Sequence, residues 1–233
     1  MATPLTDGIN ALTQYANETT GKQDATLSDA VGSLVEGYGQ GYSIKDIAKK
    51  GVNLLKNQDL DLNGIVDVAS FAFNDYLFSK VYSDTVKTIG IRAFAASTNG
   101  GARNSLIDFD FPNLEETKDY PFGHRKFLNT DIVCTAIKVG ASFAEGSSNI
   151  TSIKYTRADS IASDQIYGCI TAIKVIINST PTKIYSNAFR NAKNLADIYV
   201  PWSEGEVANA PWGATNATIH YNTVYDANGD PIT

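Results

Sequence analysis

Histidine and cysteine are nearly absent. The 233-residue chain holds 2 of each: His124 and His220, Cys134 and Cys169. A structural zinc site needs Cys and His in closely spaced pairs, and two lone Cys cannot supply them. A His-based catalytic triad would have to use His124 or His220. No GxSxG, HExxH or GxxxxGK[ST] is present, so the sequence offers no catalytic residues and implies no cofactor. One disulfide is open to Cys134 and Cys169, but two buried free thiols suit their places in the chain better. No run approaches 18 apolar residues, so membrane insertion is not expected. A block of basic charge is also missing: Lys plus Arg is 19 against 25 Asp plus Glu, a net charge of −6. That balance argues against nucleic acid as a partner. Met1 is followed by neither a basic nor an apolar stretch, so no signal peptide is expected.

What is plentiful is core-forming material. Hydrophobic residues make up 43% of the chain, with 12 Tyr and 10 Phe. That is enough to build a core. The apolar residues are not spread evenly. Ile89-Gly90-Ile91-Arg92-Ala93-Phe94 recurs as Val139-Gly140-Ala141-Ser142-Phe143, one residue shorter, and again as Ile184 to Phe189. An earlier copy runs from Val68 to Phe73, and degenerate copies end at Phe122 and Ile166. The terminal apolar residues Phe73, Phe94, Phe122, Phe143, Ile166 and Phe189 are 21, 28, 21, 23 and 23 residues apart. The long interval contains Ser97-Thr98-Asn99-Gly100-Gly101-Ala102, the composition of a loop insertion.

A second element precedes each anchor. Leu106-Ile107-Asp108-Phe109-Asp110-Phe111 alternates apolar and polar residues, as a half-buried strand does. Counterparts are Leu60-Asp61-Leu62, Ile150 to Tyr155, Ile173 to Ile177 and Leu195 to Pro201. Between Phe127 and Cys134 the register is open by one residue. One such unit cannot bury its own apolar face, but a stack of them makes a continuous core. The expectation is an α+β solenoid of about six rungs over residues 57–202.

The pattern Leu-x-x-Ile-x-apolar-Pro followed by Ile-Gly-x-x-Ala-Phe resembles the BspA-like leucine-rich repeats. It is carried by Leu106 to Pro112, Ile89-Gly90, Ala93-Phe94, Ala188-Phe189 and Leu195 to Pro201. It fades around Tyr120-Pro121-Phe122 and Ile161 to Ile166.

The flanks differ. Leu5, Ile9, Leu12 and Ala16 make a narrow helical seam, suited to assembly with another helix. A second helix starts near Ser28, and Gly37-Tyr38-Gly39-Gln40-Gly41 reads as a hinge. Residues 1–41 are thus an attachment and assembly module. Residues 42–56 form a helix that caps the first rung, and residues 203–233 a C-terminal cap. That cap is expected to contain a short helix from Ser203 to Ala210 and a last strand from Ala217 to Tyr221. The stretches Tyr15 to Ala30 and Pro201 to Trp212 are similar to segments of phage tail and fibre proteins.

Two candidate sites emerge. Asp59-Leu60-Asp61-Leu62-Asn63-Gly64 has the D-x-D-x-N-G form of a calcium loop. The twelfth position is Ser70 rather than a bidentate Glu, and a strand with both Asp turned to water fits better. The second site is a surface. Outward strand positions carry Asp59, Asp61, Lys80, Tyr82, Asp108, Asp110, Lys154, Lys174, Asp197 and Tyr199. Stacked rungs would align them in ladders, either as a solvated face that blocks aggregation or as a binding face.

The resemblance implies a non-enzymatic virion structural protein of a phage, of tail-fibre or baseplate type. Its partners would be other virion proteins, sister subunits in a homo-oligomer (a trimer) and a host surface glycan or protein. A capsid head fibre or decoration protein, and a bacterial or protist cell-surface adhesin, stay open beside it.

Overall fold

The computed structural model of the chain describes residues 59–76, 78–97, 106–127, 129–147 and 149–232. The expected assembly module over 1–41, with Leu5, Ile9, Leu12 and Ala16, lies outside the described residues. So do the capping helix over 42–56 and most of the loop insertion.

The described chain winds into a parallel β-solenoid of about seven turns. Most turns lay one strand in each of two ladders. One ladder contains β1 (Leu60–Asp61), β3 (Lys80–Tyr82), β5 (Leu106–Asp110) and β7 (Lys126–Phe127). After a break it continues through β8 (Asp131–Cys134), β10 (Ser152–Tyr155), β12 (Lys174–Ile177), β14 (Asp197–Tyr199) and β15 (Thr218–His220). The second ladder runs through two-residue strands: β2 (Asp67–Val68), β4 (Thr88–Ile89), β6 (Glu116–Thr117), β9 (Lys138–Val139), β11 (Ser160–Ile161) and β13 (Lys183–Ile184). All these pairings are parallel, as they must be when successive turns advance along one axis.

Two expectations need correction. The described residues contain no helix, so the repeats are β-only rather than α+β. The stretch from Ser203 to Ala210 is a series of turns. Gly205 at φ 89° and Asn209 at φ 71° lie in the left-handed region, which interrupts a right-handed helix. The six rungs expected over residues 57–202 are present, and β15, expected as the last strand of the cap, adds to β14 in register and makes about seven turns in all.

The core is a column of side chains, one layer per turn. Phe73 and Phe94 stack with ring centroids 5.4 Å apart and planes within 5°. Phe94 and Phe122 follow at 5.5 Å, and Phe122 and Phe143 at 5.3 Å with a tilt of 58°. The next layer holds Ile166 in place of Phe. Tyr155 and Gln165, both fully buried, reach into that region, and Tyr155 Oη donates to Gln165 Oε1 at 3.1 Å. Gln165 Nε2 in turn donates to the Gly140 carbonyl at 2.7 Å, so the buried polar pair is satisfied. Phe189 closes the series 6.4 Å from Tyr155. Trp202 and Trp212 seal the far end edge to face at 6.1 Å.

Cys134 and Cys169 are buried free thiols, as the sequence suggested. Burial pushes both up to about 12, so neither forms a thiolate at neutral pH.

Between anchor and strand the chain turns through left-handed residues. Phe71, Arg92, Tyr120, Ser142 and Asp164 all have φ between 52° and 61°. Each donates its backbone N–H to a carbonyl of the following turn: Ile91, Asp119, Ala141, Ser163 and Asn187 respectively. These inter-turn bonds offset the cost of holding non-Gly residues there.

Candidate binding face

The strand pairings fix which side chains line up on the outer surface of the first ladder. One row contains Lys80 opposite Asp108, and beyond the break Asp131, Ser152, Lys174, Asp197 and Thr218. Asp59 joins it by continuing the β1 register. The other row contains Asp61, Tyr82 and Asp110, then Val133, Lys154, Ile176, Tyr199 and His220. The residues between the rows point inward, among them Val81, Ile132, Ile153, Val175 and Ile198, all at most 4% exposed. Strict alternation therefore puts every residue of the expected face on the outside.

Lys154 and Lys174, however, fall in different rows. The face also contains residues that were not singled out: Asp131, Val133, Ile176 and His220. The alternation of Asp131-Ile132-Val133-Cys134 was visible in the sequence. The one-residue ambiguity of register there hid which pair faced out. His220 was assigned to a cap, and only its pairing with Tyr199 brings it into the row.

Local contacts give the face its chemistry. Lys80 Nζ is 4.0 Å from Asp108 Oδ2 and 5.7 Å from the centre of the Tyr82 ring. The Tyr82 phenol is pushed up by desolvation and further by Asp61 and Asp59. Asp131 accepts hydrogen bonds from Ser152 Oγ at 2.6 Å and Thr151 Oγ1 at 2.8 Å. These bonds hold its carboxyl below the ordinary value, and Lys174 and Lys154 act in the same direction. At the far end His220 Nε2 lies 2.7 Å from Asp197 Oδ1, and its ring stacks on Tyr199 at 4.4 Å.

The ladder of the face is interrupted between β5 and β8. The chain enters alongside β5 as β7, pairing Lys126 with Leu106 and Phe127 with Ile107. It resumes as β8 only at Asp131, where it pairs with β10 and not with β5. A cleft of about 320 Å³ opens between β5 and β8. Its rim includes Asp108, Asp110, Asn129, Asp131 and Lys80, and half-buried Phe109 lies among them. Asn129 Nδ2 donates to Asp108 Oδ1 at 3.0 Å, and Thr135 Oγ1 donates to the Phe111 carbonyl at 2.5 Å. Carboxylates and an amide around an aromatic surface suit hydroxyl or ammonium groups of a ligand.

The calcium-like loop has a structural use. Asp61 Oδ1 accepts the backbone N–H of Asn63 at 2.8 Å, and Asn63 Oδ1 accepts the N–H of Asp84 in the next turn at 2.8 Å. Leu62 is buried and Leu60 half-buried, with Asp59 exposed. These residues are the first rung of the stack.

A parallel β-solenoid with two strands per turn and a phenylalanine column defines the class as a repeat protein of the leucine-rich kind. Residues 66–196 match the family described as BspA type leucine rich repeat region, in 6 copies. The match spans more than half of the chain, and the protein belongs to that family. Neither a curated protein nor a solved structure shows a significant match to the chain.

Proposed function

We propose that the protein is a non-enzymatic phage virion component of tail-fibre or baseplate type, which displays its solenoid to bind the host surface. The observation that carries the binding role is the cleft between β5 and β8, where the regular ladder opens among Asp108, Asp110 and Asp131. A repeat protein whose only task is to extend a rod has no use for a break in its ladder, whereas a binder gains a concave polar site from one. The placement on a virion rests on the likeness of Tyr15 to Ala30 and Pro201 to Trp212 to phage tail segments. Residues 1–41 would attach the chain to the particle and to sister subunits, through Leu5, Ile9, Leu12 and Ala16.

Mass spectrometry of purified phage particles that encode the chain tests the placement; its absence from them rejects the virion role. Adsorption to host cells tests the face. The double variant Tyr82→Ala, Asp110→Lys should weaken adsorption about tenfold, the equivalent of ~1.4 kcal/mol, without lowering particle yield. Unchanged adsorption would place the receptor contact elsewhere.

A further inference from the structure

Two residues of the outer face break its pattern by being buried: Ser152, under its bond to Asp131, and Ile176. Ile176 points outward between Lys154 and Tyr199, yet it is only 2% exposed. Lys154 is covered as well, with 13% of its side chain exposed. The chain beyond β15 lies over this region. Residues 224–232 form a small hairpin, with Tyr225 bridged to Pro231 and Ile232 N–H donating to the Val224 carbonyl at 2.8 Å. Asp226 tightens the turn by accepting the N–H groups of Asn228 and Asp230, each at 2.9 Å.

The hairpin reaches back from β15, past β14, to β12 and β10. Tyr225 Oη donates to the Ile177 carbonyl at 3.1 Å, and Asn178 Nδ2 donates to the Gly229 carbonyl at 3.1 Å. Lys154 Nζ donates to the Asn228 carbonyl at 3.1 Å and pairs with Asp230 Oδ1 at 2.6 Å. Asn178 Oδ1 is buried beneath it without a hydrogen-bond partner. The contacts that tie the hairpin down are polar, and those of Lys154 with Asn228 and Asp230 lie at its exposed edge, which is the composition of a reversible contact rather than of a core.

We propose that residues 222–232 are a strap that closes in cis over a second docking site on the strand face, built from Lys154, Ile176 and Asn178. The site takes an extended segment bearing a carboxylate for Lys154 and a phenol for the Ile177 carbonyl, and the strap is the occupant that the chain itself provides. Closure splits the face: β1 to β8 remain open and acidic, while in the other half Lys154 and Ile176 are hidden and Lys174 stays partly exposed. The regulatory meaning rests on the strand face being the binding surface; the closure itself does not.

Amine acetylation of the full chain, read by mass spectrometry, tests the strap without any host ligand. Lys87 and Lys118 are internal references, since both are ion-paired to Glu yet 42% and 48% exposed. Lys154 should react roughly threefold more slowly than Lys87, in line with 13% against 42% exposure. Asp230→Lys and, separately, Tyr225→Ala should each raise the Lys154 rate toward that of Lys87 and leave Lys87 and Lys118 unchanged. Adding the synthetic peptide of residues 222–232 to Asp230→Lys should slow Lys154 again. The proposal is overturned if Lys154 reacts as fast as Lys87 in the unaltered chain, if neither variant moves its rate, or if the peptide gives no protection. Failure of host adsorption with a protected Lys154 would instead reject the host-binding role and leave the strap in place.

Discussion

Phe94 has no exposed surface and lies parallel to Phe73 on one side and Phe122 on the other. Truncation leaves a cavity that two stacked rings cannot fill, since each is held by its own turn. Phe94→Ala should cost about 3–5 kcal/mol in a denaturant titration, and a loss below about 1 kcal/mol would show that the column is dispensable. Asp131 gives a residue-level test of the face. Its folded carboxyl is held below the ordinary value by Ser152 and Thr151, so it stabilises the fold at pH above the unfolded value of about 3.9. That contribution disappears as pH falls through the lower, folded value. Asp131→Asn should therefore narrow the difference in urea midpoint between pH 6 and pH 3. An unchanged difference would mean that other carboxylates carry the acid sensitivity.

At the scale of the element, the glycine of the Ile-Gly-x-x-Ala-Phe corner has a specific cause. A Cβ on Gly140 would stand 2.6 Å from the backbone of Lys118 and from the Thr117 carbonyl oxygen, with no flexible side chain to give way. Gly140→Ala should destabilise by about 1–3 kcal/mol, because two turns must separate to admit one methyl group. A neutral Gly140→Ala in thermal unfolding would show that the turns slide apart freely. Neighbouring turns carry Lys118 and Ala162 at the corresponding place, so the close approach is local to particular pairs of turns. The anchors and the period were legible in the sequence for this reason: Phe73, Phe94 and Phe189 fill equivalent layers, and their type and spacing record that directly. The left-handed corners at Arg92, Tyr120 and Asp164 were not legible. No glycine or asparagine marks them, and the inter-turn hydrogen bonds that hold them are made by the backbone. The face was legible in most of its members, through alternation. Its break was not, because it depends on β7 pairing with β5 and on β8 pairing only with β10. The hairpin across Ile176 escaped for a similar reason: the Lys154 to Asp230 pair joins positions 76 residues apart (230 − 154).

Across the whole molecule, stability is distributed along one axis. Each turn packs on its two neighbours, so the free energy is close to a sum of single-turn and nearest-neighbour contributions, and an end turn has only one neighbour. Among the described residues the two ends are not alike. At the C-terminal end Trp212 is fully buried, Trp202 packs against it, and β15 adds a last strand to the ladder. Arginine side chains tie neighbouring turns together, exposed Arg157 from the surface and Arg125 from the core. Arg157 donates to the carbonyls of Thr135 at 2.5 Å and Leu114 at 2.6 Å, and buried Arg125 donates to that of Phe94 at 2.5 Å. At the other end β1 is two residues long, and Leu60, Phe73 and Tyr76 are only partly buried against the core. Opening should therefore start at β1 and β2 and move toward the centre. Hydrogen exchange of the full chain should show protection lost first at residues 60–62 and 67–68, and last at 132–134 and 153–155. Equal protection at both places would mean that the chain preceding Asp59 closes its end as firmly as Trp212 closes the other, and the one-sided opening proposed here would be wrong.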